Sequence, residues 1–104
     1  MEIHEITKSL PAEEKYSLVD QMRRSSRSVP VNIAEAWKKR RYEKYFISKL
    51  TDSSGEASET EVWLDFSKDL GYLERSKYTD LMERYDEVSR MLAGMIENAD
   101  KFCY

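Results

Sequence analysis

Apolar residues recur near the end of the chain at Tyr78, Leu81, Tyr85, Val88, Leu92, Met95, Ala99 and Phe102, spaced 3, 4, 3, 4, 3, 4 and 3. A seam of that period lies along one side of an α-helix and predicts a helix over about Glu74 to Phe102. Asp80, Glu83, Arg84, Asp86, Glu87, Arg90 and Glu97 fall between the seam positions and form its solvated face. Upstream, Leu70-Gly71-Tyr72-Leu73 reads as a turn. Gly71 suits the position just past a helix end, because glycine takes the left-handed conformation at little cost.

A second helix is predicted over about Tyr42 to Leu70. Phe46, Leu50, Ser53, Ala57, Thr60 and Leu64 continue the spacing 4, 3, 4, 3, 4, but the middle of this stripe is small or hydroxylated. With Gly55 inside it, at a cost of about 1 kcal/mol relative to Ala, the tract suggests backbones in close approach. A further apolar face, Val62, Trp63, Phe66 and Leu70, appears towards the end of the same helix. Two faces are more than one neighbour can cover, so the second is the candidate subunit interface.

Further upstream, Leu18, Met22, Val29, Ile33 and Trp37 make a third helical stripe. Ser9 or Thr7 can cap its start, Pro11 suits the first turn, and Glu13 and Glu14 favour the positive end of the helix dipole. Pro30 lies inside the stripe and predicts a kink or break near Val29. Residues 1–8, with Ile3 and Ile6, leave room only for a stub of a first helix. The pattern as a whole is all-α and of the antiparallel helix-bundle kind. Neither a repeat nor a low-complexity linker divides it, so a single domain over 1–104 is expected.

Composition agrees. The chain is 36% charged and carries only three Gly and two Pro, which favours long solvated helices over a turn-rich β fold. The lone cysteine, Cys103, cannot form an internal disulfide. No signal peptide or membrane span is visible, and a cytoplasmic location is the default expectation. The net charge of −3 hides an uneven distribution. Residues 1–52 hold eleven Lys/Arg against eight Asp/Glu, whereas residues 53–104 hold six against twelve.

The residue types that carry most catalysis are scarce. The one histidine, His4, lies near the start of the chain, where a surface role is the simpler account. One His and one Cys at opposite ends cannot build a zinc site. Glu56, Glu59 and Glu61 share a helix, but di-metal bundles pair such residues with Glu-x-x-His, which is absent. There is no glycine-rich phosphate cradle. No enzyme, no metal, no cofactor and no small-molecule substrate are therefore expected.

The suggestive polar feature is basic. Lys38-Lys39-Arg40-Arg41, with Lys44 nearby, is interleaved with Trp37, Tyr42 and Tyr45. Cations beside aromatic rings suit phosphate contact plus base stacking. Arg23 and Arg27 share a face of the preceding helix, with Arg24 beside them. The plainer alternative is a solvated inter-helix loop with ion pairs to the acidic second half.

Several stretches also carry a family resemblance: Ile6-Thr7-Lys8-Ser9-Leu10-Pro11, Glu14-Lys15-Tyr16-Ser17-Leu18, Asp20-Gln21-Met22-Arg23-Arg24-Ser25, and Ser28-Val29-Pro30-Val31-Asn32-Ile33-Ala34-Glu35. Gly55 with Ser58-Glu59-Thr60-Glu61, and Leu70-Gly71-Tyr72-Leu73, fit the same pattern. Together they resemble the four-helix bundle proteins encoded in intervening sequences of 23S ribosomal RNA genes. The resemblance covers nearly the whole chain and is most specific from Gln21 to Glu35. It implies an all-α, antiparallel (up-and-down) four-helix bundle, here with a shortened first helix, that assembles into a ring-like homopentamer. It also implies kinship with the accessory protein of diversity-generating retroelements, a similar pentamer that works with a reverse transcriptase and nucleic acid.

Two departures stand out. The family's first helix is longer, with an aromatic-rich stretch before the Ile-Thr-Lys-Ser segment. Where the family commonly has Gly after Asn-Ile-Ala-Glu, this chain has Ala36 and Trp37, which allows the helix to run on. The expected function is binding of RNA or a ribonucleoprotein partner. On charge alone, its carriers are Arg23, Arg24, Arg27, Lys38, Lys39, Arg40 and Arg41. The alternative is a purely structural scaffold whose partner is another protein, held by the Trp63/Phe66 face.

Overall fold

The computed structural model describes residues 17, 18 and 20–104. Regular structure among them is entirely helical: α1 Asp20–Lys38, α2 Glu43–Asp69, α3 Arg75–Glu97 and α4 Ala99–Phe102. The expected helix start at Ser9–Pro11 and the shortened first helix lie outside the described residues.

The central element is α2. Its predicted stripe of Phe46, Leu50, Ser53, Ala57, Thr60 and Leu64, extended by Ser67, is fully buried. α1 and α3 both pack along α2 and meet each other much less. The core that results has two apolar ends. At one, Met22, Leu64, Leu73 and Leu81 cluster, with Trp63, Tyr78 and Tyr85 against them. At the other, Ala36, Phe46, Leu50, Leu92 and Ala99 cluster, with Ile33, Val88 and Phe102 packed around them. Burial at both ends removes apolar surface from water, at roughly 25 cal/mol per Å².

Between these ends lies a waist of small and hydroxylated side chains. The Ser53 hydroxyl donates to the Val29 carbonyl at 2.8 Å. The hydroxyls of Thr60 and Ser25 lie 2.8 Å apart, and Thr60 is also bonded to the Tyr85 phenol. One buried hydroxyl thus links α1, α2 and α3. The large majority of buried polar groups are paired, and these hydroxyls are. The close approach foreseen for this tract belongs to Ser53, Ala57 and Thr60. Gly55 does not share in it: it is exposed, and a Cβ placed there meets nothing within 4 Å.

Pro30 does not break its helix. α1 runs unbroken from Asp20 to Lys38 through the proline, which is exposed. A proline in a helix interior removes one hydrogen bond and costs about 3 kcal/mol. Packing on both sides outweighs that loss: Val29 is held against Ser53, and Ala36 is sealed beneath Phe46 and Leu50. Past Ala36 the chain continues helical to Lys38, as its alanine allows.

Gly71 ends α2 as expected. Its φ is +79°, the Tyr72 N–H bonds the Ser67 carbonyl at 2.8 Å, and the Gly71 N–H bonds the Lys68 carbonyl at 3.0 Å. This pair of bonds satisfies two of the carbonyls orphaned at a helix end. The last predicted helix is interrupted once, at Asn98 (φ −108°, ψ 30°). There the Asn98 side-chain amide and backbone N–H both bond the Gly94 carbonyl, at 2.9 and 3.0 Å. The seam survives the interruption, since Ala99 remains buried and Phe102 packs against the same cluster.

Candidate nucleic-acid interface

The connection from α1 to α2 is four residues long, Lys39 to Tyr42. The Lys39 N–H bonds the Ala36 carbonyl and the Tyr42 N–H bonds the Lys39 carbonyl, both at 2.9 Å. Tyr42 is extended (φ −118°, ψ 96°), which stops the helical path before α2 begins. The basic run therefore occupies a tight corner at one end of the helices.

The corner is built around Arg40. Its guanidinium lies 3.8 Å from the centroid of the Trp37 ring and 5.4 Å from that of Tyr104. Its Nε donates to the Trp37 carbonyl at 2.8 Å. Trp37 in turn meets Phe102 edge-on at 6.4 Å, and Phe102 stacks on buried Phe46 at 6.1 Å. A row of rings thus runs from the core to the surface and holds one cation in place. Such contacts are worth about 0.5–1 kcal/mol at exposed sites. The Tyr104 N–H bonds the Arg40 carbonyl at 3.4 Å, fastening the segment after α4 to the corner. Lys39 lies over Tyr45, 5.4 Å from its ring centroid.

Charge at the corner is largely uncompensated. Among the described residues no carboxylate pairs with Lys38, Lys39, Arg40, Arg41 or Lys44. Glu43 and Asp100 are opposing charges close by. They are felt at Cys103, where burial pushes the thiol up, Glu43 and Asp100 add to the rise, and Arg40 opposes it. Lys49, a turn further along α2, is paired with Glu35 at 2.9 Å. That hydrogen bond, and then the Glu35 charge, raise the Lys49 pKa.

The other three candidate arginines sit elsewhere. From Arg24 to Lys38 the helix axis rises about 21 Å, so the two groups form no single patch on this chain. Arg24 is already matched: it donates to Glu56 at 3.1 and 3.3 Å and pairs with Glu59. Arg23 is half-buried, and its Nε has no partner among the described residues. Arg27 is exposed.

The candidate interface residues also divide. Val62, Phe66 and Leu70 are exposed. Trp63 is half-buried and packs inward against Leu18 and the Leu64 cluster, with its ring 5.9 Å from that of Phe66. Its indole N–H is buried without a partner among the described residues. An apolar groove of about 330 Å³ runs between α1 and α3, floored by Val29, Ile33, Tyr85 and Val88 and flanked by Pro30 and Met91. No group of three or more His, Cys, Asp or Glu among the described residues is placed to hold a metal ion, and no described helix is long and apolar enough to cross a membrane. His4 lies outside the described residues.

Sequence reasoning missed Tyr104. It joins the corner from the far end of the chain, and no local spacing could have paired it with Arg40. The one signal was its place just beyond the last seam residue, Phe102.

Residues 1–94 match the 23S rRNA-intervening sequence protein family. The chain belongs to that family. A solved structure of similar architecture is that of a protein with unknown function from the S23 ribosomal protein family of Bacteroides thetaiotaomicron VPI-5482. It is 29% identical, superposes with a TM-score of 0.82, and the match covers 91% of this chain and 88% of that one. No curated protein matches the chain.

Proposed function

We propose that this intervening-sequence protein is a non-enzymatic, oligomeric RNA-binding or ribonucleoprotein-binding protein that works in the cytoplasm through its basic corner. The observation that carries the reading is the set of cations from Lys38 to Arg41, unpaired among the described residues and set beside exposed rings. Elsewhere, Arg24, Lys49, Arg84 and Arg90 are each matched to a carboxylate. A corner left positive in a chain of net charge −3 suits a polyanion.

The subunit is proposed to be an antiparallel, up-and-down four-helix bundle with a shortened first helix. The order of contacts supports it: Ser25, Val29 and Ala36 meet Thr60, Ser53 and Phe46 in turn. Self-association as a homopentamer is proposed with it, supported by the uncovered Val62, Phe66 and Leu70. In a closed ring the corner is repeated in every subunit, so a modest patch becomes a multivalent one.

Filter binding to a structured RNA at about 50 and about 200 mM salt tests the reading. Binding is expected at low salt, with a steep loss at high salt. No binding at low salt, or binding unchanged by charge reversal of Lys38, Lys39, Arg40 and Arg41, overturns it. The second reading, a purely structural scaffold, is favoured by the same exposed Val62, Phe66 and Leu70. A protein partner that stays bound through nuclease and high salt, and is lost on substitution of Phe66, would select it.

A further inference from the structure

We propose that the corner is a stacking platform for single-stranded nucleic acid, with Tyr104 as a base-contacting residue. The inference deepens the nucleic-acid reading above and rests on it. Its basis is the aromatic surface rather than the charge. Tyr104 is 78% exposed, Tyr42 60%, Tyr45 53% and Trp37 46%. Solitary exposed rings are ordinary on protein surfaces. Here three fall between residues 37 and 45, and the chain returns after α4 to set a fourth beside them.

The rings are also arranged for the task. Phe46, Phe102, Trp37, Arg40 and Tyr104 succeed one another from the core outward. The outermost of them, Tyr104, is the most exposed, and the segment carrying it is fastened by the bond to the Arg40 carbonyl. A base laid on Tyr104 would extend a row in which one guanidinium already lies between two rings. Lys38, Lys39, Arg41 and Lys44 are exposed in or next to the same corner and offer positive charge to the phosphates of a bound strand. Glu43 and Asp100 oppose them at Cys103, where Arg40 acts the other way.

The class of ligand follows from what a duplex hides. In a helix of paired strands each base face is covered by its neighbours, and only phosphates and groove edges are offered. Exposed rings gain nothing from such a surface. An unpaired strand offers every π-face, and stacking on aromatic side chains tolerates any base. RNA and DNA share this chemistry, so both belong in the test.

The experiment is fluorescence anisotropy of the full chain with labelled oligoadenylate of about 12 nucleotides, as RNA and as DNA, each alone and annealed to its complement. At low salt, the single strand in at least one sugar form is expected to bind about tenfold or more tighter than its duplex. Tyr104→Ala and Tyr42→Ala should each weaken single-strand binding about fivefold or more, and Tyr104→Phe should retain it. Both tyrosines are exposed, and circular dichroism checks that the variants stay folded. Equal affinity for strand and duplex, with both alanine variants binding as the unaltered chain does, overturns the platform and leaves the basic-corner reading standing. Absence of binding to any of the four ligands and to structured RNA overturns both.

Discussion

The hydroxyls of Ser25 and Thr60 meet 2.8 Å apart in the buried waist between α1 and α2. Thr60 is also within 3.0 Å of the Glu56 carbonyl and bonds the Tyr85 phenol. Replacing it by valine keeps the shape but strands its partners. Thr60→Val is expected to lower stability by about 1–3 kcal/mol, and Thr60→Ser by much less. Urea unfolding of the single variants and of Ser25→Ala/Thr60→Val gives the pair's coupling. A coupling of about 0.5 kcal/mol or more is expected for groups in contact, and simple additivity would show that the two hydroxyls do not cooperate.

Gly55 makes the opposite case. It lies within α2, is exposed, and has open space where a Cβ would be. Gly55→Ala should stabilise the chain by about 0.4–1 kcal/mol, chiefly by restricting the unfolded state. Thermal unfolding reads the gain directly. A loss would mean that the position is packed in the assembled protein.

Glu61 supplies a pH dependence. Burial, followed by the charges of Asp86 and Asp65, raises its pKa above the ordinary 4.5. The folded state therefore holds this proton more tightly than the unfolded state does. As pH rises from about the ordinary value through the folded one, the unfolded chain loses its proton first, and Glu61's contribution to stability falls. Glu61→Gln should be more stable than the unaltered chain at neutral pH, with the gap closing towards pH 4. Denaturation of both chains across that range checks it, and a gap that widens on acidification would contradict the sign.

Phe66 and Leu70 bear on assembly. Both are exposed, so charges there cost the isolated subunit little. Phe66→Glu with Leu70→Glu is expected to reduce the mass found by light scattering while the helical dichroism is kept. An unchanged mass would move the interface to another face, with the α1–α3 groove the next to probe.

Much of this was legible along the chain. The seam from Tyr78 to Phe102 and the stripe from Phe46 to Leu64 are periodic over many turns, and both proved to face the core. Gly71 announced its turn because few residues tolerate a positive φ. Three features were not legible, each for a non-local reason. Pro30 reads as a kink or a break, yet α1 runs through it with Val29 and Ala36 packed on α2 to either side. Asn98 falls between two seam positions, and its bond back to Gly94 is a local competition that periodicity cannot register. At the site, Lys38 to Arg41 stood out as a cluster, but Tyr104 reaches it only through the fold. The matching of Arg24 to Glu56 and Glu59 likewise spans more than thirty residues.

Because α1 and α3 meet mainly through α2, the molecule has one element whose changes are felt twice. A substitution on the outward side of α1 or α3 perturbs a single contact and can drift without consequence for the other pair. A substitution in the stripe from Phe46 to Ser67 loosens both neighbours at once. In a library holding every single substitution, tolerance should therefore form a trough along that stripe, deepest at Thr60, where one hydroxyl answers to both sides.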